Sequence, residues 1–200
     1  MTKIADIING EAEAVRAIPR ENPYRETVSA FHRAVQNHGT VVVSGVGKAG
    51  DIGRKISSTL NSIGMRSVFV HPLEAAHGDL GGIHKNSVVL LLSNSGKTRE
   101  LLEFTALVKN LYPAAKIAAI TGHPDSPIGK VSNFVLSTGN PKEVEPMNLV
   151  PTTSCVAMLV IGDILTVLSM EKLKLTPAKY QKHHHGGYIG KKVKRIAKKK

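Results

Sequence analysis

Hydrophobic positions along the chain follow two alternating patterns, and together they predict a parallel α/β fold. Five short runs are rich in apolar and β-branched residues and are bounded by turn residues, as the strands of a buried sheet are. Segments with helical length and periodicity separate these runs, which indicates βαβ units and therefore a parallel sheet. The predicted strands are residues 40–46, 67–71, 87–92, 116–121 and 134–137.

Helices are predicted on both faces of this sheet. Two open the chain, three lie between strands, and two follow the last strand. The expected fold is a three-layer α-β-α sandwich around a five-stranded parallel sheet with flavodoxin-like strand order, in which the first and third strands are neighbours. The predicted helices are residues 2–17, 22–37, 49–63, 98–111, 127–131, 152–173 and 177–183.

Composition agrees with a folded domain in a reducing compartment. Apolar residues make up 42% of the chain, and Trp is absent, so aliphatic side chains must build the core. The single cysteine, Cys155, excludes an intrachain disulfide and is interpreted as a small core residue. Acidic residues within the first 18 positions argue against a secretory signal. The longest apolar run, residues 155–170, is shorter than a membrane span requires. We therefore expect a cytoplasmic protein without membrane contacts.

The formal charge of +12 is unevenly distributed. Seven of the 27 Lys and Arg residues lie in residues 191–200, which contain no acid. We predict one domain over residues 1–190 and a basic tail over 191–200, either a solvated end helix or a disordered arm. The mild positive excess elsewhere suits a phosphorylated metabolite better than nucleic acid. If the tail instead bound nucleic acid as the main activity, its deletion would abolish that activity; we expect deletion to leave sugar binding intact.

A glycine-rich loop follows the first predicted strand and precedes a helix. Glycines at positions 45, 47 and 50 allow a tight turn, and Gly47 and Lys48 would face a ligand at the helix start. The spacing matches a dinucleotide-binding fingerprint, but the acid expected after the second strand is missing. A dinucleotide site is therefore the less favoured interpretation.

A second polar loop follows the third predicted strand. Ser93, Asn94, Ser95 and Thr98 crowd a helix start. One hydroxyl suffices to cap a helix, so the surplus favours a phosphate cradle. The spacing of Gly and Lys excludes a Walker-type nucleotide loop. Because the first and third strands should be neighbours, we expect the phosphate on this loop with Gly47 and Lys48 beside the sugar.

Three further segments carry ionisable groups. Residues 71–81 follow the second strand and include Glu74 and His77, while Glu143 precedes a helix start. Three consecutive histidines occupy positions 183–185, but neighbours on a helix point about 100° apart, so they should not share one metal ion. We expect one functional imidazole there and no metal site.

With these motifs assembled, the chain resembles the SIS (sugar isomerase) domain and, within it, the arabinose-5-phosphate isomerase family. The resemblance covers about residues 41–191. It rests on the sequences GVGKAGDIGRK at 45–55, HPLEAAHGDLG at 71–81 and SNSG at 93–96, and on PTTS at 151–154, GD at 162–163 and HHGG at 184–187.

The resemblance implies reversible aldose–ketose isomerisation without a required cofactor, usually in a homotetramer; a dimer is the other oligomer considered. The functional Lys, two Glu and His of the family fall on Lys48, Glu100, Glu143 and His184, and the His helps to complete a site across a subunit boundary. Many family members add a pair of CBS domains, which these 200 residues do not contain. Departures from the family pattern are Ala49, Lys97, Val144, Glu145 and His185, and they put the identity of the sugar in doubt.

The chemistry of such an isomerisation needs a carboxylate base, a group that stabilises an enediolate oxyanion, and a group that opens the sugar ring. We assign Glu143 as base, with partial burial expected to raise its pKa, and Lys48 as the charge stabiliser. His184 would assist ring opening, and Glu100 would hold sugar hydroxyls or position Lys48. Glu100 and Glu143 could exchange roles. The predicted substrate is a pentose 5-phosphate such as arabinose 5-phosphate; the alternative is a non-catalytic module that senses a sugar phosphate.

Overall fold

A computed structural model describes residues 3–197, and its centre is a five-stranded sheet. All neighbouring strands are parallel, and their order is β2-β1-β3-β4-β5. The predicted fold class and strand order are therefore confirmed. The strands are β1 (Val41–Gly45), β2 (Ser67–Phe69), β3 (Val88–Leu92), β4 (Lys116–Thr121) and β5 (Phe134–Ser137).

Helices cover both faces of the sheet, and all seven predicted helices are present within a few residues of their expected ends. A short helix after β2 was not predicted, and the last helix, which crosses residue 191, agrees with the end-helix alternative for the basic tail but begins before it. The helices are α1 (Ile4–Arg16), α2 (Tyr24–Gln36), α3 (Gly47–Ser62), α4 (Pro72–Ala76), α5 (Arg99–Leu111), α6 (Pro127–Val131), α7 (Thr153–Lys172), α8 (Pro177–Gln181) and α9 (Gly187–Ala197).

The core consists of two apolar layers, one on each face of the sheet. In β1, Val41 and Val43 pack with α2, α3 and α7, whereas Val42 faces the layer covered by α5. All five residues of β1 and of β3 are buried. A sheet buried on both faces requires apolar residues at consecutive positions, which explains the unbroken aliphatic strands.

Helix α7 is long and apolar enough to cross a membrane by length and composition, but half of it is buried inside this fold. It packs against α1, α2 and α3. Gly162 provides the closest approach, because a Cβ there would lie 2.4 Å from Cγ1 of Ile56. Its apolar composition is therefore explained by the core.

Strand register aligns the loops that leave the sheet at its carboxyl edge. Gly45, the last residue of β1, pairs with Leu92, the last residue of β3. The glycine-rich loop and the hydroxyl-rich loop therefore start side by side, as predicted from the flavodoxin-like order.

Candidate functional site

The glycine-rich loop turns tightly into α3 at the end of β1. A Cβ at Gly50 would lie 2.7 Å from the carbonyl oxygen of Gly45, so these two positions must stay small. Gly47 has φ +58° and faces open space. Lys48 is exposed, and no acidic side chain among residues 3–197 lies within ion-pair distance of it. The loop thus presents an unpaired ammonium group at the start of a helix.

The hydroxyl-rich loop is held together by its own side chains. Oγ of Ser93 lies 2.8 Å from Oγ1 of Thr98 and accepts a hydrogen bond from the Gly96 amide at 3.1 Å. Oγ of Ser95 accepts from the Lys97 amide at 3.2 Å. Ser93 is buried, whereas Ser95 is exposed. Ser93 therefore shapes the loop from below, and Ser95 and Thr98 form its outer surface.

Asn94 connects this loop to the next strand. Its backbone carbonyl accepts hydrogen bonds from Oγ1 of Thr121 and from the Gly122 amide. Its side-chain oxygen is buried and has no partner within the described residues. A Cβ at Gly122 would lie 2.7 Å from that oxygen and 2.9 Å from Oδ1 of Asn140. Asn140 therefore lies beside Asn94 at this edge of the sheet. The only sequence feature that marked Asn140 was its position after a glycine just beyond a predicted strand.

Glu143 is anchored at the start of α7. Its Oε2 accepts hydrogen bonds from the Thr152 amide at 2.7 Å, the Thr152 hydroxyl at 2.9 Å and the Ser154 amide at 3.2 Å. Partial burial raises the pKa of Glu143, but these bonds from Ser154 and Thr152 outweigh it and hold the pKa below its usual value. Burial thus acts in the expected direction, but the expectation that the pKa of Glu143 would be raised overall is wrong.

Cys155, in the first turn of α7, feels the charges of both predicted catalytic groups. Burial raises the pKa of its thiol, the negative charge of Glu143 raises it further, and the positive charge of Lys48 lowers it. Both groups are thus close enough to act on one thiol in the first turn of α7. Cys155 is only partly buried, so its interpretation as a core residue is wrong.

Glu145 stabilises the loop that leads into α7. Its carboxylate accepts hydrogen bonds from the amides of Met147, Leu149 and Val150. The hydrogen bond from the Leu149 amide contributes most to holding the pKa of Glu145 below its usual value. Val144, the other departure beside Glu143, donates its amide to Oγ1 of Thr153 at 3.1 Å. The Glu145 side chain therefore stabilises the loop that carries Glu143, whereas the bond at Val144 involves only its backbone.

The remaining predicted residues on this edge lie farther out. Glu100 is partly buried in the first turn of α5. Glu74 and His77 are exposed on or just after α4, which packs against α5. His71, at the end of β2, was not singled out from the sequence, yet it lines a cavity of about 210 Å³ together with Gly47 and Lys48.

His184 lies at the other end of the molecule. A Cβ at Gly64, just beyond the last turn of α3, would be 3.0 Å from the ring of the adjacent His183. Lys48 is at the first turn of the same 16-residue helix, so the two ends are about 24 Å apart at 1.5 Å per residue. The ring of His184 stacks on Tyr180, with 4.3 Å between ring centroids. The structure of one chain therefore does not bring His184 to Lys48.

Two further observations concern the neighbourhood of His184. A larger cavity, of about 550 Å³, lies between the ends of α3 and α7 and the α8 and α9 pair, with a mainly apolar lining that includes Met170, Tyr180 and Ile189. Across residues 3–197, no group of three or more His, Cys, Asp or Glu side chains is arranged to hold a metal ion. The three histidines at 183–185 belong to neither a metal cluster nor the carboxyl-edge site within one chain.

Comparison with protein families gives a result that agrees with this sheet order and with the loops at its carboxyl edge. The SIS domain model matches residues 35–168, and the chain belongs to the SIS domain family.

Individual relatives are consistent with that membership. The chain is 41% identical over 166 residues to arabinose 5-phosphate isomerase KdsD of Pseudomonas aeruginosa, which covers 83% of this chain and 50% of the relative. It is also 41% identical over 193 residues to arabinose 5-phosphate isomerase KpsF of Escherichia coli O6:H1, covering 96% of this chain and 58% of the relative. The chain thus spans about half the length of the curated relatives it matches.

Solved structures match over nearly the whole chain. A Bacteroides fragilis protein, described as a phosphosugar isomerase involved in capsule formation, has a TM-score of 0.90 and 47% identity, covering 92% of this chain and 97% of that one. An Escherichia coli CFT073 protein solved in complex with A5P has a TM-score of 0.80 and 32% identity, covering 90% and 95%.

Proposed function

We propose that this protein interconverts aldose and ketose sugar phosphates, with arabinose 5-phosphate and ribulose 5-phosphate as the pair to test first. The observation that carries the proposal is the side-by-side start of the glycine-rich loop with Lys48 and the hydroxyl-rich loop at the ends of β1 and β3. The relatives named as arabinose 5-phosphate isomerases and the structure in complex with A5P support the choice of substrate.

In the proposed reaction, Glu143 removes the proton next to the sugar carbonyl. Within the described residues its Oε2 takes all three hydrogen bonds, which leaves Oε1 to face the substrate. The lowered pKa keeps the carboxylate ionised at neutral pH. Lys48 stabilises the oxygen on which negative charge develops in the enediolate. Glu143 then returns the proton to the neighbouring carbon, while the former carbonyl oxygen gains the proton that the neighbouring hydroxyl oxygen loses; no cofactor is assigned.

The phosphate is proposed to bind at the loop from Ser93 to Thr98, with Asn94 and Ser95 as further contacts. Glu100, at the start of α5 beside that loop, is proposed to hold sugar hydroxyls, and Glu74 and His77 to close the outer wall. Because His184 and Lys48 lie far apart within one chain, we assign the ring-opening His184 to a site shared between two subunits of a homo-oligomer. A cytoplasmic location remains a prediction.

The test is a screen of aldose and ketose phosphates in which NMR follows isomer interconversion. We expect the wild-type chain to convert arabinose 5-phosphate and Glu143→Gln to be inactive, because the amide cannot accept the proton. Glu103→Gln, on the exposed surface of α5, is the matched control and should turn over normally. Near-normal turnover by Glu143→Gln would remove Glu143 from the mechanism, and binding without conversion by the wild type would favour a sensing module.

A further inference from the structure

We infer that Glu11, in the middle of α1, is a positioning residue for the proposed base Glu143. It acts through two hydrogen bonds that run from the Glu11 carboxylate through the Thr153 hydroxyl to the Val144 amide, and these three groups are called the Glu11 relay. The inference rests on the proposed function and concerns the same site. Glu11 belongs to the first helix, far in sequence from the loop that it holds.

The hydroxyl of Thr153 links two distant segments of the chain. It donates a hydrogen bond to Oε1 of Glu11 at 3.2 Å and accepts one from the Val144 amide at 3.1 Å. Thr153 is almost completely buried, with 1% of its surface exposed, so bulk water has little access to these bonds. A hydroxyl has one proton to donate, and the Glu11 carboxylate determines where that proton points. Glu11 therefore orients the hydroxyl that holds Val144.

The relay ends next to the groups that hold Glu143. Val144 directly follows Glu143 in the chain, and Thr153 stands between Thr152 and Ser154. The amides of those two neighbours donate to Oε2 of Glu143. The Glu143 carboxylate and the backbone beside it are thus held to the same turn of α7. Loss of the bond at Val144 would let that backbone move and change the direction in which Oε1 of Glu143 points.

Packing between α1 and the loop supports this role independently of the hydrogen bonds. Gly10, the neighbour of Glu11, approaches Val144 so closely that a Cβ at Gly10 would lie 2.9 Å from Cγ1 of Val144. Residues of α1 and residues 141–144 line one groove of about 420 Å³, and α1 also packs against α7. Two consecutive residues of α1 therefore hold the loop that carries Glu143, one by direct packing and the other through Thr153.

Folding stability alone does not explain the Glu11 carboxylate. Its Oε2 is buried and has no hydrogen-bond partner among residues 3–197. Burial of a polar oxygen without a partner costs free energy, and such atoms are uncommon in folded proteins. The start of α7 offsets part of this cost, because the positive end of the helix dipole lies there. An apolar side chain of the same size would avoid the cost but could not orient the Thr153 hydroxyl.

The experiment compares two replacements of Glu11 in the full chain. Glu11→Met keeps the volume but removes the strong acceptor, so kcat for arabinose 5-phosphate should fall about tenfold through misplacement of Glu143, with KM within about twofold of wild type. Glu11→Gln keeps an acceptor oxygen for Thr153 and should retain kcat within about twofold. Hydrogen exchange followed by NMR should show the Val144 amide exchanging about fivefold faster in Glu11→Met and at the wild-type rate in Glu11→Gln, the effect of one weakened hydrogen bond.

Thr153→Val tests the relay from its other member and serves if Glu11→Met does not fold. It removes the hydroxyl, so it should lower kcat at least as much as Glu11→Met does. Because both changes break the same relay, the double variant should lose no more activity than Thr153→Val alone. The matched control is Glu26→Met, the same substitution on the exposed surface of α2, which should keep the wild-type kcat, KM and exchange at Val144.

Three results would overturn the inference: wild-type kcat in Glu11→Met, an equal loss in Glu11→Gln, or independent losses that multiply in the double variant. A lowered melting temperature with unchanged exchange at Val144 would show a general structural role of Glu11 and also overturn it. If the wild-type chain converts no sugar phosphate, the proposed function itself fails, which is a different result. The exchange rate of the Val144 amide then still decides whether Glu11 holds the loop.

Discussion

The polar groups at the two ends of the molecule differ in how many of the proposed site residues they bring together. At the carboxyl edge of the sheet, the register of β1 and β3 starts the loop with Lys48 and the hydroxyl-rich loop side by side, and Glu143 is held at the start of α7. At the opposite end, His184 stacks on Tyr180, and its Nδ1 is buried without a partner in the described part of the chain. One end gathers several of the proposed site residues, and the other holds a single one, whose Nε2 lies 3.2 Å from the Tyr180 hydroxyl.

The comparison teaches that one chain holds two incomplete parts of one proposed site. Parallel strands gather the loops of one edge because all strands end there, but within residues 3–197 no strand or helix returns the α8 and α9 pair to that edge. A second copy related by symmetry could supply His184, as the family resemblance implies.

The largest expected effect comes from removing the ammonium group at the carboxyl edge. Lys48→Met should lower kcat/KM by about a hundredfold or more, the scale of losing one electrostatic stabiliser of an oxyanion. Lys55→Met, on the same helix, removes an exposed ion pair with Asp163 and should change kcat/KM by less than about twofold. Similar losses in both variants would mean that charge on α3 acts generally and that Lys48 has no special role.

A subunit-mixing experiment tests the separation of the two ends directly. Lys48→Met and His184→Gln should each be inactive alone, whereas co-expression should restore activity, because mixed oligomers contain sites with both native residues. In a dimer, random mixing restores about a quarter of wild-type activity. If co-purified mixed oligomers show no recovery, His184 does not complete a site in another subunit.

A change in the core should lower stability and leave the site intact. In Gly162→Ala, the new methyl group would meet Ile56 across the α3 and α7 contact, and overpacking of this kind costs about 1–3 kcal/mol. Thermal and denaturant unfolding should show that loss, while KM stays near the wild-type value. Gly81→Ala is the control, since a Cβ there meets nothing within 4 Å. A large rise in KM without loss of stability would contradict the expectation that this change affects the core and leaves the site intact.

The smallest effect concerns the pH dependence of the site. Removing the Thr152 hydroxyl by Thr152→Val takes one hydrogen bond from the Glu143 carboxylate, so the pKa of Glu143 should rise toward its usual value. The acidic limb of the kcat/KM profile should then move to higher pH. Thr59→Val, whose hydroxyl bonds to the Lys55 carbonyl, should leave the limb in place.

The same substitution has a stability counterpart with a definite sign. The pKa of Glu143 is lowered in the folded state, so its hydrogen bonds stabilise the fold above the unfolded-state pKa, and this contribution is lost as pH falls through the folded-state pKa. The stability difference between wild type and Thr152→Val should therefore shrink at acidic pH. A difference that is constant from neutral to acidic pH would assign it to packing of the Thr152 side chain.

Much of the fold and part of the site could be predicted from sequence. Apolar runs and turn residues are local signals, and five of them in a row are enough to predict a buried parallel sheet and the loops that follow its strands. Two of those loops were predicted from the glycines at 45 and 47 and from the hydroxyl side chains at 93–98. The helix α4 escaped prediction because it is a single short turn, and the start of α9 was missed because the basic composition marks only its later residues.

The sequence by itself determined the strands, the sheet order expected of them, and the residue types available for phosphosugar chemistry. Only the tertiary structure decided that Thr152 and Ser154 lower the pKa of Glu143, that His71 and Asn140 join the carboxyl edge, and that His184 does not. The reason is physical: strand formation depends on neighbours along the chain, whereas hydrogen bonding and burial depend on which distant segments pack together.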